Sequence, residues 1–375
     1  MSAALEALRQ ARHPLLMVGG GVVLSDTAEP LRQIVRDASL PVVYTLMGKG
    51  AIPDDWEENL GMAGMHGTWT ANMAITQCDL LLTVGARFDD RVTGSVANFA
   101  PKARIVHFDI DQVEINKIVH ADLSVNGDLR WSLPAFRKQL EASPIPAVQT
   151  VTWRQELQEM KAGHPAGTRP SSEKGLSPQV VLEETAKKAG PEALVATDVG
   201  QHQMWAAQNY TYKEPRTFLS SGGLGTMGYG VGAAIGAKYG RPDKTVVNIA
   251  GDGCFRMNMN EIATAARYKV PIIQVVLNNH VLGMVRQWQN LFYGQRYSNT
   301  VLDDSVDFVA VSKALGANAS KITSIEEFET EFKKALTADG PTVLDVMIDS
   351  DDKVWPMVAP GAAIDTCFTD KDLDN

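Results

Sequence analysis

The sequence has few cysteines, no long apolar run and no basic stretch. Its three cysteines are odd in number and far apart in a chain of 375 residues, so they predict neither a disulfide framework nor a zinc site and fit a reducing cytoplasm. No stretch approaches the ~20 apolar residues that cross a membrane. The net charge of −9, without a basic run, argues against nucleic acid as a partner. We expect a cytoplasmic globular protein.

Short apolar runs alternate with amphipathic segments along most of the chain. Strands are predicted at 15–18, 41–45, 80–84, 104–108, 194–197, 217–219, 245–249, 272–277 and 343–348. Helices are predicted at 28–38, 70–77, 128–140, 178–188, 201–208, 228–238, 258–268, 307–314 and 324–336. This alternation predicts an α/β fold with two doubly wound parallel sheets, one in each half of the chain.

Prolines and small polar residues set residues 142–175 apart as a linker, with one short helical stretch near 153–161. The predicted domains are therefore 1–141 and 176–375, each long enough to bury its own core. Residues 1–12 combine helical periodicity with charged side chains, which is not the pattern of a signal peptide. The tail after Pro356 is rich in Gly, Ala and Asp and is predicted to be a flexible cap.

An acid and an amide follow two apolar runs in the second half. Gly-Asp-Gly at 251–253 ends one run, and Asn-Asn at 278–279 ends the next. Ligands bind at the carboxyl ends of strands in open α/β sheets, so Asp252 and Asn279 are expected to share a site. Their oxygens suit Mg²⁺, which often accompanies phosphates, and the glycines let a phosphate approach the backbone. The alternative is a strand-end turn and a separate Asn-Asn turn.

These motifs resemble the diphosphate-binding signature of thiamine-diphosphate enzymes. Further segments resemble the large catalytic subunit of the acetohydroxyacid synthase (acetolactate synthase) family: Val-Gly-Gln-His-Gln-Met-Trp at 199–205, Ser-Gly-Gly-Leu-Gly-Thr-Met-Gly at 221–228 and Asn-Asn-His-Val-Leu-Gly-Met-Val-Arg-Gln-Trp at 278–288. The first half resembles that family's central, FAD-binding domain at Thr-Leu-Met-Gly 45–48, Gly-Met-His-Gly-Thr 64–68 and Gly-Ala-Arg-Phe-Asp-Asp-Arg-Val-Thr-Gly 85–94. The resemblance covers almost the whole chain.

The resemblance implies roles for the matched positions of the second half. Asp252, Asn279 and the carbonyl of Val281 would bind Mg²⁺. Met227 and Trp288 would be the catalytic residues, because Met227 would bend the cofactor and Trp288 would select 2-ketobutyrate over pyruvate as second substrate. Without the resemblance, both are better explained as core residues. Thiamine diphosphate would be contacted by Gly200, Gln201, His202, Gly225, Met227, Gly253, Cys254 and Met284, of which Cys254 departs from the serine of most family members.

In the first half, the resemblance implies a bound FAD that is structural rather than redox-active. Asp90 and Arg91 would also lie near the substrate channel. The alternatives are a tight turn at 19–21 and a solvated charge cluster at 87–91. The positions that would contact FAD are Gly19, Gly20, Thr45, Leu46, Met65, His66, Gly85, Arg87, Asp89, Arg91, Asp109, Ile110 and Asp128.

The implied reaction is thiamine-diphosphate-dependent decarboxylation of pyruvate and carboligation to a second 2-keto acid, a transferase step of branched-chain amino acid biosynthesis. A homo-oligomer and a small regulatory subunit are the implied partners. The family's activating glutamate lies in an N-terminal pyrimidine-binding domain, and nothing here matches it, since Glu261 is interpreted as a surface residue. We therefore expect a chain that holds the last two of three domains and is inactive alone.

Two alternative functions stay open at this point. One is another carboligase or decarboxylase of the same superfamily, such as a glyoxylate carboligase or a pyruvate oxidase. The other is a non-catalytic binding or regulatory protein that keeps a nucleotide-binding fold.

Overall fold

Two parallel sheets organise the chain in the computed structural model, which describes residues 1–146, 150–165, 176–302 and 306–373. One compact unit comprises Met1–Thr168, Tyr212–Pro215 and Trp355–Asn375, and the other comprises Arg169–Thr211 and Arg216–Val354. Each unit contains a six-stranded sheet. The predicted α/β fold with two parallel sheets is confirmed.

The first unit has the strand order β3-β2-β1-β4-β5-β6, and all neighbouring strands are parallel. This order reverses direction between β1 and β4, the switch point at which dinucleotide-binding folds hold their ligand. The strands are β1 (Pro14–Val18), β2 (Val42–Tyr44), β3 (Asn59–Met62), β4 (Leu80–Val84), β5 (Arg104–Asp109) and β6 (Leu123–Asn126). The helices are α1 (Ser2–Gln10), α2 (Gly20–Leu24), α3 (Ala28–Ala38), α4 (Trp69–Gln77), α5 (Asp90–Thr93), α6 (Leu129–Ala142) and α7 (Val151–Gly163).

The second unit has the order β11-β12-β10-β9-β7-β8, again with parallel neighbours. Its switch point lies between β7 and β9. The strands are β7 (Leu194–Thr197), β8 (Phe218–Ser220), β9 (Val246–Gly251), β10 (Ile272–Asn278), β11 (Asn318–Ile322) and β12 (Thr342–Met347). The helices are α8 (Pro178–Ala189), α9 (Gln201–Asn209), α10 (Tyr229–Gly240), α11 (Asp252–Asn258), α12 (Glu261–Arg267), α13 (Gly283–Phe292), α14 (Phe308–Ala314) and α15 (Ile325–Ala335).

Three strands that we did not predict, β3, β6 and β11, all lie at sheet edges. Central parallel strands are buried on both faces and therefore form continuous apolar runs, as β1 and β4 do. The edge strands instead contain polar or small residues, such as Leu-Ser-Val-Asn in β6 and Asn-Ala-Ser-Lys-Ile in β11. An edge strand has a neighbouring strand on one side only, so its sequence does not need the continuous apolar run of a central strand.

Two local features differ from the prediction. The helix expected at 258–268 is present but shorter, as α12, and a helix that we did not predict, α11, begins directly after β9 and ends at Asn258. The tail after Pro356 is packed rather than flexible, since Met357, Val358 and Ile364 are buried and Met357 pairs with Phe368. Across the described residues, no helix is both long and apolar enough to cross a membrane.

Part of the predicted linker is a folded helix of the first unit. Residues 147–149 and 166–175 of that linker lie outside the described residues, but α7 occupies Val151–Gly163. Its Trp153 is 1% exposed, belongs to the same core cluster as Leu15 and Met17, and donates its indole N–H to the Pro14 carbonyl at 3.1 Å. The helix is therefore part of the core that supports β1.

Replacing Trp153 with alanine should destabilise the first unit by about 3–5 kcal/mol, because it leaves a cavity and removes a buried hydrogen bond. Trp131 is the matched control, since it is 79% exposed and its replacement should change stability by less than ~0.5 kcal/mol. Calorimetric unfolding of both variants measures this difference. Equal effects of the two substitutions would contradict the role given to α7.

Candidate functional site

The switch point of the second sheet opens into a cavity. Its walls come from the connections that follow β7, β9 and β10, with Met227 from the segment before α10. Ten of the predicted thiamine-diphosphate and Mg²⁺ positions line it together, namely Gly200, Gln201, His202, Met227, Asp252, Gly253, Cys254, Asn279, Val281 and Met284. Residues that we did not predict also line it: Val199, Trp205, Gly251, Leu277, Leu282, Gly283 and Val285.

Asp252 brings a buried carboxylate to this cavity. It is the first residue of α11, it is 1% exposed, and its Oδ2 has no hydrogen-bond partner among the residues that the structure describes. Burial raises the pKa of this carboxyl to about 6, although nearby Arg256 and backbone N–H groups act in the opposite direction. An ionised carboxylate that is buried without a partner is costly, so the position favours a bound cation.

Of the two asparagines at the end of β10, Asn279 lines the cavity and Asn278 does not. Asn278 points its amide at Asp345, donating to Oδ1 at 2.9 Å. Asn279 Oδ1 accepts the Val281 N–H at 3.2 Å, which brings the Asn279 side chain and the Val281 backbone together. In the described part of the chain no group of three His, Cys, Asp or Glu side chains could hold a metal. A cation here would therefore need amide and carbonyl oxygens besides Asp252, a donor set that suits Mg²⁺.

Gln201 presents the oxygen of its side-chain amide to the cavity rather than the amide N–H groups. Gln287 fixes this orientation, because its amide donates to the Val354 carbonyl at 3.1 Å and accepts the Val354 N–H at 2.9 Å. Its oxygen also accepts from Gln201 Nε2 at 2.9 Å, and the Asp352 carbonyl accepts from the same nitrogen at 2.8 Å. Gln201 Oε1 is left buried without a partner in the described structure. The side chain therefore offers the cavity an acceptor.

His202 is held neutral by its surroundings. Its ring lies against the backbone of Gly200 and Gly251, where a Cβ would approach ring atoms to 2.9 and 3.0 Å. Burial lowers the pKa of His202 to about 3, and a hydrogen bond to the Asp198 backbone only partly opposes this. Its Nε2 is buried, with no hydrogen-bond partner in the ranges described. The glycines thus make room for an imidazole whose free nitrogen is available to a ligand.

Cys254 and Met227 differ in what they offer the cavity. The Cys254 thiol donates to the Val199 carbonyl at 3.1 Å, and burial raises its pKa to about 12, so it is an inert thiol. The Met227 methyl lies 3.9 Å from where a Cβ on Gly253 would stand. Met227 is therefore placed over the backbone that follows Asp252.

Two predicted residues of this site do not line the cavity. Gly225 lies in an exposed segment with φ +76°. Trp288 lies on α13, half-buried, with its ring edge-on to Phe292 at a centroid distance of 5.9 Å.

The predicted FAD positions all lie at or after strand ends of the first sheet. Gly19 and Gly20 follow β1, and Gly85 and Arg87 follow β4, so these four flank the switch point. Hydrogen bonds join the two connections, from Gly19 N–H to the Val84 carbonyl at 3.0 Å and from Gly21 N–H to the Gly85 carbonyl at 2.8 Å. The remaining positions follow β2 (Thr45, Leu46), β3 (Met65, His66), β4 (Asp89, Arg91) and β6 (Asp128), or lie at the end of β5 (Asp109, Ile110).

The acids at this edge differ in their availability. Asp109 accepts the Asp111 N–H at 2.8 Å, and hydrogen bonds from His107 and the backbone outweigh burial to lower its pKa. Asp128 caps α6 and binds Arg130 through the same carboxylate. Ile110 is 67% exposed, and Arg87, Asp89, Asp90 and Arg91 are exposed. The edge therefore presents an ionised Asp109, an exposed surface of mixed charge and the apolar Ile110 beside the switch point.

Comparisons with known proteins agree with this geometry. A family model described as "Thiamine pyrophosphate enzyme, central domain" matches residues 1–136, and one described as "Thiamine pyrophosphate enzyme, C-terminal TPP binding domain" matches residues 198–346. Together they match more than half of the chain, and the second includes Asp252, Asn279 and Met227.

Curated relatives are similar over nearly all of the chain. The acetolactate synthase large subunit of Corynebacterium glutamicum is 46% identical over 365 residues, which are 96% of this chain and 58% of that protein. The acetolactate synthase isozyme 2 large subunit of Escherichia coli is 42% identical, with 96% and 64% covered. The probable acetolactate synthase large subunit of Methanocaldococcus jannaschii is 42% identical, with 96% and 61% covered. The chain thus spans about three fifths of the length of these relatives.

The variant Asp252→Asn should be more stable than the natural protein at pH 8 when no metal is present. The pKa of this carboxyl is about 6 in the folded state against 3.8 unfolded, so folding must hold an unfavourable charge above pH 6. The difference should be about 3 kcal/mol at pH 8 and should shrink as the pH falls from 6 towards 4. Calorimetric unfolding in EDTA across this pH range measures it.

Asp339 provides the control, since its side chain is 90% exposed and Asp339→Asn should change stability little at any pH. A natural protein that is more stable than Asp252→Asn at pH 8 in EDTA would contradict the account of this carboxylate.

Proposed function

The chain belongs to the thiamine pyrophosphate enzymes as a homologue of acetolactate synthase large subunits, and on this basis we propose that it takes part in acetolactate synthesis with thiamine diphosphate, Mg²⁺ and FAD, together with a pyrimidine-binding domain. The substrates would be pyruvate and a second 2-keto acid, either pyruvate or 2-ketobutyrate. The observation that carries the proposal is the cavity at the β7–β9 switch point, where Asp252, Gln201 and His202 each bury a polar atom without a partner in the described residues.

These three atoms and their neighbours fit a metal diphosphate. Asp252, Asn279 and the Val281 carbonyl would hold Mg²⁺, whose charge would balance the buried carboxylate. The N–H groups of Gly253 and Cys254, at the start of α11, would face the diphosphate. The negative charge of the diphosphate would favour protonation of His202, whose free Nε2 would then donate a hydrogen bond to it. Gln201 would take part through its oxygen, by accepting a hydrogen bond from water bound to the metal, because its N–H groups are already engaged.

The apolar wall of the cavity has a different task. Met227 and Met284 would contact the organic part of the cofactor, with Met227 forcing its bent shape and Gly225 adjoining the same pocket. When bound, thiamine diphosphate supplies the carbanion and the electron sink for decarboxylation of a 2-keto acid. Residues of this chain anchor the cofactor and exclude water, and Trp288 would select the second substrate. The described cavity lining contains no glutamate.

In the first unit, we propose FAD binding at the β1–β4 switch point. The thirteen predicted positions lie at or after the ends of all six strands of that sheet, and ligands of such sheets bind at this edge. The ionised Asp109 would accept hydrogen bonds from ribose hydroxyls. We retain the domain boundaries 1–141 and 176–375, a homo-oligomer and a small regulatory subunit as parts of this proposal.

Thiamine diphosphate should bind this chain only when Mg²⁺ is present, because the diphosphate and Asp252 would repel each other without the cation. Asp252→Asn should weaken binding at least ~100-fold, since it removes the charged metal ligand. Isothermal titration with thiamine diphosphate, with and without Mg²⁺, measures both effects.

Glu261→Gln is the control for this titration, because Glu261 lies on α12, is absent from the cavity lining and should leave the affinity unchanged. Binding of the natural protein that is equally tight in EDTA would refute the metal-dependent site. A parallel titration of FAD should be weakened by Asp109→Asn and not by Asp252→Asn.

Incubation with pyruvate, thiamine diphosphate, Mg²⁺ and FAD distinguishes the proposed activity from its alternatives. Any turnover should yield acetolactate, whereas a decarboxylase of the same superfamily would release acetaldehyde. The assay is run on this chain alone and after addition of a relative's N-terminal pyrimidine-binding domain. We expect product only in the second case. Acetaldehyde as the main product would overturn the assignment, and turnover by the chain alone would overturn the expectation that it is inactive.

A further inference from the structure

The segment that carries Met227 ends at Gly228, whose backbone N–H and carbonyl are each hydrogen-bonded to a side chain. We call these two hydrogen bonds the grip on Gly228. Gly228 donates its N–H to Asp198 Oδ1 at 2.7 Å, and its carbonyl accepts from Asn258 Nδ2 at 2.7 Å. Asp198 Oδ1 also accepts the Gly230 N–H at 3.2 Å, at the start of α10. These bonds connect the residue next to Met227 with the end of β7 and the end of α11.

The backbone conformation of Gly228 makes this grip specific. Gly228 has φ +89°, in the left-handed region that favours glycine, and a Cβ there would lie 2.9 Å from Asn258 Nδ2. The segment before Gly228 is exposed, since Leu224 is 90% exposed. Within this segment, the Thr226 N–H donates a hydrogen bond to Ser221 Oγ at 3.0 Å. Met227 therefore lies between an exposed segment and Gly228, whose backbone is held by hydrogen bonds to Asp198 and Asn258.

Asp198 meets the cavity lining through its backbone, which bonds the His202 ring, so its buried side chain needs another explanation. It is fully buried, it is not part of the cavity lining, and its second oxygen faces the Asn248 amide in the core. Burying a carboxylate there costs free energy, and its short hydrogen bonds are made to the backbone of Gly228 and Gly230. The cost is explained if its task is to fix this backbone.

We propose that Asp198 and Asn258 are positioning residues, which grip the N–H and the carbonyl of Gly228 and thereby hold Met227 in the cavity over Gly253. This inference deepens the proposed function and rests on it, because Met227 matters only if a cofactor occupies the cavity. The diphosphate and metal end of the site, at Asp252 and Asn279, does not depend on the grip.

Two ligands separate the two ends of the site. Magnesium pyrophosphate occupies only the anchoring end, whereas thiamine diphosphate with Mg²⁺ also needs Met227. Asn258→Ala removes one half of the grip from an exposed position, and Asp198→Ala removes the other half. Both should lower the affinity for thiamine diphosphate about tenfold and change that for magnesium pyrophosphate by less than about twofold, in isothermal titrations.

Two further variants serve as controls. Asp198→Asn keeps an oxygen that accepts from Gly228 and Gly230, so it should retain the natural affinity. Asn260→Ala removes an exposed side chain, two residues from Asn258, that donates to Glu261 and not to Gly228, and it should behave as the natural protein. If Asp198→Ala does not fold, Asn258→Ala decides the question.

A second measurement requires no cofactor. In protein labelled with ¹³C-methyl methionine, the Met227 resonance, assigned with Met227→Leu, should move towards the random-coil position in Asn258→Ala and stay in place in Asp198→Asn and Asn260→Ala. An unmoved resonance in Asn258→Ala, or parallel losses for both ligands, would overturn the proposal. Failure of the natural protein to bind thiamine diphosphate would refute the proposed function instead, and the methyl resonance would still decide whether the grip exists.

Discussion

The candidate site of the second unit depends on the buried carboxylate of Asp252, because the groups at this end of the sheet are arranged around it. Asp252 stands at the end of the central strand β9, 1% exposed, with one oxygen unpaired among the described residues. Besides Arg256, whose charge acts on this carboxyl, the neighbouring groups at the cavity offer oxygens: the Asn279 amide, the Val281 backbone and Gln201 Oε1. This arrangement does not by itself stabilise the folded protein. A divalent cation that bridges these oxygens would offset the free-energy cost of burying the carboxylate.

Both units contain a six-stranded parallel sheet with a switch point, but the switch point lies between different strands. In the first, the strand order reverses between β1 and β4, and in the second between β7 and β9. The first edge presents glycines and the ionised Asp109, which suits a nucleotide. The second presents a carboxylate, an amide and a neutral histidine, which suits a metal diphosphate. The same rule of sheet topology therefore yields two sites of different chemistry.

Central strands and the acid–amide pair could be predicted from sequence because their causes are local. A strand buried on both faces needs a continuous apolar run, and a polar residue where that run stops marks the ligand edge. Edge strands such as β6 have no such requirement, so their sequences did not identify them. The helix after Gly251 was missed because α11 is only seven residues long.

Side-chain orientation in the site could not be predicted, because it is decided by distant residues. Gln287, 86 residues after Gln201, determines which end of the Gln201 amide faces the cavity. Asp198 and Asn258 act on Met227 through the backbone of Gly228 and not through contact with a ligand. A motif match identifies Gln201 and Met227 but gives no information on the residues that orient them.

Titration of Mn²⁺ in the presence of thiamine diphosphate, followed by electron paramagnetic resonance, tests the central claim most directly. The account predicts a tightly bound Mn²⁺ in the natural protein that is lost in Asp252→Asn and kept in Asp339→Asn. Tight Mn²⁺ binding that survives Asp252→Asn would show that the buried carboxylate is not the metal ligand, and the account of this site would be wrong.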